Sequence, residues 1–145
     1  MDYNNIGFIG SGKMAGAIIK GLIKTGFTSS NNIIATQAEK EGLEEKSKAL
    51  GIEIILDNTQ LVQKSDVIFI AVKPNQVLGV LEEIKPFVTE EKLIVSIAAG
   101  INTVKLETNL PQGIKVIRVM PNTPALVGEG MSGMVGGKVA SDDDI

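Results

Sequence analysis

The sequence predicts an α/β domain: a doubly wound, mostly parallel sheet with helices on both faces. Three observations carry that expectation. Short β-branched runs alternate with longer stretches of helical period along the 145 residues. The first of these runs ends in a glycine-rich turn that opens an amphipathic helix. The hydrophobic fraction is 43% and the mean hydropathy +0.20, enough for a substantial core in a chain of one domain's length.

The elements follow in order. Ile6 to Ile9 is an apolar run ending in a glycine turn, as a buried parallel strand reads. Met14, Ala17, Ile18, Gly21 and Leu22 then recur at helical spacing, and Gly26 stands where a glycine closes a helix. A second strand fits Asn32 to Thr36. A polar helix fits Glu39 to Leu50, closed by Gly51 and weakened by Gly42. A third strand fits Glu53 to Leu56, followed by a short helical turn around Leu61 and Val62 and a strand from Asp66 to Val72. The next helix carries Val77, Val80, Leu81 and Ile84 on one face and stops at Pro86. Leu93 to Ala98 is a strand, Thr103 to Asn109 a helix and Lys115 to Met120 a strand. An edge strand fits Met131 to Val135. No internal repeat, low-complexity segment or linker interrupts this series, so residues 1–145 read as one domain.

Composition narrows the function classes. The chain has neither cysteine nor histidine, so disulfides, a cysteine nucleophile, histidine acid–base chemistry and cysteine- or histidine-ligated metal are excluded within it. A net charge of −3 and 3% aromatic residues oppose a nucleic-acid or anionic-membrane partner. The start of the sequence lacks the basic stretch of a signal peptide, and no apolar run approaches a membrane span. A cytoplasmic protein is expected.

The turn after the first strand reads Gly10-Ser11-Gly12-Lys13-Met14-Ala15. Gly10 permits a tight turn. Gly12 removes the side chain that would block a pyrophosphate, and Ala15 lets the helix lie close to the sheet. The helix start then offers unpaired N–H groups and the positive end of its dipole to phosphate. The context, after a strand and opening a helix, predicts a Rossmann-type dinucleotide site. The tip of the second strand reads Thr36-Gln37-Ala38-Glu39-Lys40, with hydroxyl and amide groups where a carboxylate would take a ribose diol. NADP(H) is therefore favoured, with NAD(H) as the alternative.

Ligands in such sheets lie beyond the carboxyl ends of the strands. Ala71-Val72-Lys73-Pro74, Ser96-Ile97-Ala98-Ala99-Gly100 and Met120-Pro121-Asn122-Thr123-Pro124 stand at three of those ends. Together they outline a pocket floor, and Lys73 is its only ionisable group. An alcohol dehydrogenase wants a proton-accepting side chain. A reductase acting on an already protonated imine needs chiefly a positioned hydride.

These segments, with Gly7-Phe8-Ile9-Gly10-x-Gly12-x-Met14-Ala15 and Arg118-x-Met120-Pro121-Asn122-Thr123-Pro124, resemble the pyrroline-5-carboxylate reductase family in order and spacing along essentially the whole chain. The resemblance implies hydride transfer from NAD(P)H to the C=N carbon of a five-membered cyclic imine, giving L-proline, the last step of proline biosynthesis. It places Ile9, Gly10, Ser11, Gly12, Lys13 and Met14 at the pyrophosphate, and Thr36 and Gln37 at the adenosine ribose or its phosphate. Asn58, Ala71, Val72, Lys73 and Pro74 line the dinucleotide. Ile97, Ala98, Ala99 and Asn122 lie towards the nicotinamide. No catalytic residue and no metal ligand is assigned within the chain.

The family also implies a following helical domain that forms a homo-oligomer and carries most of the imine site. Here Ser141-Asp142-Asp143-Asp144 reads as the capped start of a further helix, so the chain is expected to be the cofactor-binding part, with little activity alone. Two rival readings are another phosphogluconate-dehydrogenase-like oxidoreductase and a free-standing nucleotide-binding module.

Overall fold

Strand β1, Ile6–Ile9, is buried along its length and occupies the middle of a seven-stranded sheet. The computed structural model describes residues 4–98 and 100–119 in full, and residues 120 and 133–136 as backbone. β1 pairs in parallel with β2 (Ile33–Thr36) on one side and β4 (Val67–Ile70) on the other. β3 (Glu53–Ile55) lies outside β2; β5 (Leu93–Ser96) and β6 (Lys115–Met120) extend the other half. The order is β3-β2-β1-β4-β5-β6-β7, parallel throughout except for β7 (Gly133–Gly136), which runs antiparallel to β6. The expected edge strand thus exists, shifted from Met131–Val135.

Side chains alternate across the sheet as the two-residue period requires. Ile6, Phe8, Val67, Leu93 and Val95 face helices α1 (Lys13–Lys24) and α2 (Leu43–Leu50). Ile9, Ile68, Ile70 and Ile94 face α3 (Asn58–Lys64), α4 (Pro74–Ile84) and α5 (Thr103–Thr108). Phe8 and Phe69 are partners in register, and their rings stack with centroids 4.4 Å apart. Both faces are covered, which explains why the strands read as continuous apolar runs.

Two expectations need correction. The fully buried face of α1 is Ala15, Gly16 and Ile19, one position round from the centre of the expected Met14, Ala17, Ile18, Gly21 and Leu22 stripe; of that stripe Ile18 and Leu22 are half-buried and pack against the same core. Ala15 and Gly16 are so small that the helix rolls them onto the sheet. Helix α2 begins at Leu43, four residues after Glu39, because Gly42 adopts a left-handed conformation (φ 75°) as its N-cap. Several predicted strands also end earlier than their apolar runs, at Ile55, Ile70 and Ser96, where the backbone turns into site loops. The expected helix start at Ser141–Asp144 lies outside the described residues.

The turn predicted around Leu61 and Val62 is a full helix, α3, with its own cap. One Asp57 carboxylate oxygen accepts from the Thr59 hydroxyl at 2.7 Å and from the Thr59 and Gln60 backbone N–H groups at 2.9 and 3.3 Å. The Thr59 hydroxyl, followed by the two backbone donors, holds this carboxyl below its ordinary value of 3.8. A depressed carboxyl pKa stabilises the fold above the unfolded value, and that contribution disappears as pH falls through the folded value. Asp57→Ala should therefore lower the melting temperature at pH 7, and the gap to wild type should shrink in melts run towards pH 3. An unchanged gap across that range would show that the charge of the cap contributes nothing.

Candidate functional site

The strand order reverses between β1 and β4, and the crevice beyond their carboxyl ends is the switch point of a doubly wound sheet. A cavity of about 390 Å³ opens there. Its floor is the turn from Ile9 to Gly12, with the tip of β2 (Thr36 and Gln37) on one side and Ala71 to Lys73 after β4 on the other. Asn58 adds the first residue of α3.

Hydrogen bonds between strand ends shape the floor. Ala71 N–H donates to the Ile9 carbonyl at 2.8 Å, and Gly10 N–H donates to the Thr36 hydroxyl oxygen at 3.2 Å. Thr36 is buried, so its hydroxyl anchors the glycine turn. Gly10 has a φ of 100°, and a Cβ there would stand 2.7 Å from the Ala71 carbonyl oxygen. The turn therefore requires glycine at this position for two separate reasons.

Gly12 differs. Its backbone is extended (φ −74°), and a Cβ there would meet nothing within 4 Å. It is the N-cap of α1, and no side chain caps that helix. The first-turn N–H groups therefore face the crevice with no side-chain acceptor, the arrangement that receives phosphate oxygens. Among the described residues no Asp or Glu lines the cavity, whereas Lys46 and Lys73 both do. The residues fit a dinucleotide diphosphate in charge, in donor geometry and in the open space above Gly12.

At the tip of β2 the Gln37 amide donates to the carbonyls of Glu39 at 2.6 Å and Glu41 at 2.8 Å. Its own Oε1 is buried without a partner among the described residues, an acceptor whose desolvation is left uncompensated. The Nε of Arg118, across from Ser96 in the register of β5 and β6, is buried in the same condition.

Of the residues expected from sequence, Ile9, Gly10, Ser11, Gly12, Thr36, Gln37, Asn58, Ala71, Val72 and Lys73 line this one cavity. Lys13 lines an adjoining cavity between α1 and α2. Met14 is half-buried in the first turn of α1, and Pro74 is exposed as the first residue of α4. Ile97 and Ala98 follow β5 outside the cavity; Ile97 N–H bonds the Ile70 carbonyl at 3.1 Å, and Ala98 is buried. Ala99 and Asn122 lie outside the described residues.

Five lining residues were not anticipated: Ala38, Lys46, Leu56, Gln76 and Val80. Leu56 carried a signal, being a large apolar side chain just past a strand and 48% exposed. Lys46 and Val80 carried none, because each belongs to a helix with its own periodicity. The Asn58 amide donates to Glu83 at 2.7 Å, tying α3 to α4 along the wall. Among the described residues no cluster of three acidic, cysteine or histidine side chains could hold a metal, and no helix is long and apolar enough to cross a membrane.

Comparison with known proteins agrees with this fold. Residues 5–100 match the protein family described as NADP oxidoreductase, coenzyme F420-dependent. The chain is 41% identical over all of its 145 residues to a pyrroline-5-carboxylate reductase from Methanosarcina acetivorans, of which it covers 54%. It superposes on a solved pyrroline-5-carboxylate reductase from Coxiella burnetii with a TM-score of 0.89 and 35% identity, over 98% of this chain and 53% of the other. A Plasmodium falciparum pyrroline carboxylate reductase, solved with NADP bound, gives a TM-score of 0.84 and 32% identity over 97% and 50%. The chain thus spans about half the length of the curated relatives it matches.

Proposed function

Because the chain belongs to the family described as NADP oxidoreductase, coenzyme F420-dependent, and is similar throughout to pyrroline-5-carboxylate reductases, we propose that it holds NADPH for reduction of 1-pyrroline-5-carboxylate to L-proline. The observation that carries the reading is the crevice itself. An uncapped helix start, an open Gly12 and a lining that holds no carboxylate among the described residues converge at the switch point of the sheet. NADH is the second candidate cofactor.

The bound dinucleotide supplies the hydride; the protein supplies orientation and electrostatics. In this reading the N–H groups at the start of α1 hold the pyrophosphate. Leu56 and Val80 offer an apolar wall to the adenine ring, and the unpartnered Gln37 oxygen accepts from a ribose hydroxyl. Ala71 to Pro74, followed by Ile97 to Ala99 and Asn122, lead towards the nicotinamide. Ala71 and Ala98, with their small side chains, would leave room for a nicotinamide ring, which would supply hydride to the imine carbon.

We place the contacts to the imine carboxylate, and homo-oligomer formation, in a helical domain such as the similarity implies. Residues 1–145 then act as the dinucleotide-binding unit of a cytoplasmic enzyme. Fluorescence titration tests the core of this proposal: NADPH should bind with a Kd below about 1 mM, equivalent to roughly −4 kcal/mol. Failure of both NADPH and NADH to bind at that concentration would sink it. Brisk proline formation by this chain alone would overturn the division of labour while leaving the cofactor site intact.

A further inference from the structure

The reading that this cavity takes a dinucleotide leaves its specificity to be explained. The tip of β2 bears no carboxylate, and Lys40, the cation nearest to it in sequence, does not line the cavity. Lys40 borders an adjoining groove, shared with Leu43, Glu44 and Glu45 and divided from the cavity by Leu56, which lines both. Among the described residues, the two cations that do line the cavity are Lys73, beyond β4, and Lys46, on α2. Lys46 is therefore the one on the adenosine side of the crevice.

Three local features present it there. Gly42 delays the start of α2, and the Lys46 N–H bonds the Gly42 carbonyl at 3.1 Å, so Lys46 lies in the first turn. The Gln37 amide holds the carbonyls of Glu39 and Glu41, fixing the course of the intervening loop. Lys46 itself is half-buried and borders both the nucleotide cavity and the adjoining cavity of about 510 Å³ against α1. Lys13 and Lys20 border that second cavity, and among the described residues no acidic side chain does. The exposed carboxylates of Glu39, Glu41, Glu44 and Glu45 line neither space.

We propose that Lys46 takes the 2′-phosphate of the adenosine ribose and so sets the preference for NADPH over NADH. The inference rests on the dinucleotide reading above. A half-buried lysine bordering the cavity, with like charges behind it and no competing carboxylate among the described lining residues, favours a phosphorylated ribose over the free diol.

Calorimetric titration with adenosine 2′,5′-bisphosphate and adenosine 5′-monophosphate tests it without any turnover. Wild type should prefer the bisphosphate. Lys46→Gln should lose about tenfold in affinity for the bisphosphate while the monophosphate stays within about twofold. Lys46→Arg should restore most of the preference, Lys40→Gln should leave it in place, and added salt should narrow it. Equal losses for both nucleotides in Lys46→Gln, no loss for either, or a loss seen in Lys40→Gln in its place would each overturn the assignment. Wild type that binds neither nucleotide nor NADPH would bring down the dinucleotide reading and this inference together.

Discussion

Gly12→Val should abolish NADPH binding at concentrations that saturate wild type while leaving a folded protein. Nothing lies within 4 Å of the added Cβ, and the extended backbone suits a β-branched residue. Valine is a poorer N-cap than glycine, which costs about 1 kcal/mol or less. For a domain of this length that lowers the melting temperature by only a few degrees, roughly 2–5 °C. Binding responds differently. The isopropyl group fills the space through which phosphate reaches the start of α1, and charge-assisted hydrogen bonds are worth about 1.5–3 kcal/mol each. Losing two of them weakens binding at least a hundredfold. Fluorescence titration beside a thermal melt separates the two effects. Retained affinity would put the phosphates elsewhere, and a collapsed melt would make Gly12 a structural glycine.

Gly10 is the control within the same turn. Its positive φ and the Ala71 carbonyl 2.7 Å from a would-be Cβ mean that any side chain strains the fold before ligand is considered. The two glycines are alike in the sequence pattern and opposite in physical role.

That contrast shows how far the sequence could be read. The strands were legible because both faces of the sheet are buried, so Ile6–Ile9, Val67–Ile70 and Leu93–Ser96 stand out as apolar runs. The glycine turn was legible because its φ and its phosphate approach demand particular residues at fixed spacing. The face of α1 was misread because Ala15–Gly16 and Ile18–Ile19 are adjacent pairs of apolar or small residues, which fit two stripes equally well. The choice between them is made by the sheet. The start of α2 was misread because Gly42 could be an interior glycine or a cap, and only its positive φ decides. Lys46 and Val80 entered the site unannounced for a related reason. A helix packed beside a crevice donates whichever side chain its rotation places there, and that rotation is a tertiary property.

A large loss of stability is expected at Gly7, a strand residue with a φ that any side chain tolerates, so its glycine has a packing cause. A Cβ at Gly7 would stand 2.5 Å from Leu61 Cδ2 and 2.9 Å from Leu61 Cγ, with the Ser65 hydroxyl oxygen closer still. Both neighbours are fully enclosed, and the Ser65 hydroxyl is fixed by its bond to the Leu61 carbonyl at 2.7 Å. Neither can swing aside, so α3 would have to move away from β1. Overpacking of this kind costs about 1–3 kcal/mol for one added carbon, and more for valine. Gly7→Ala should lower the melting temperature by about 5–10 °C. Leu61→Ala alone should cost about 2–5 kcal/mol through its cavity. The double variant should be more stable than the sum of the two losses by at least about 1 kcal/mol, since shortening Leu61 removes its part of the clash and leaves only the Ser65 hydroxyl against the new methyl. Strict additivity would refute the Leu61 contact as a cause of the loss. Because α3 also carries Asn58 into the nucleotide cavity, its displacement should weaken NADPH binding as well. Gly7→Ala should therefore lose stability and affinity together, and only Gly7→Ala should recover part of both when Leu61 is shortened; Gly12→Val has no such partner, because what its side chain displaces is the ligand.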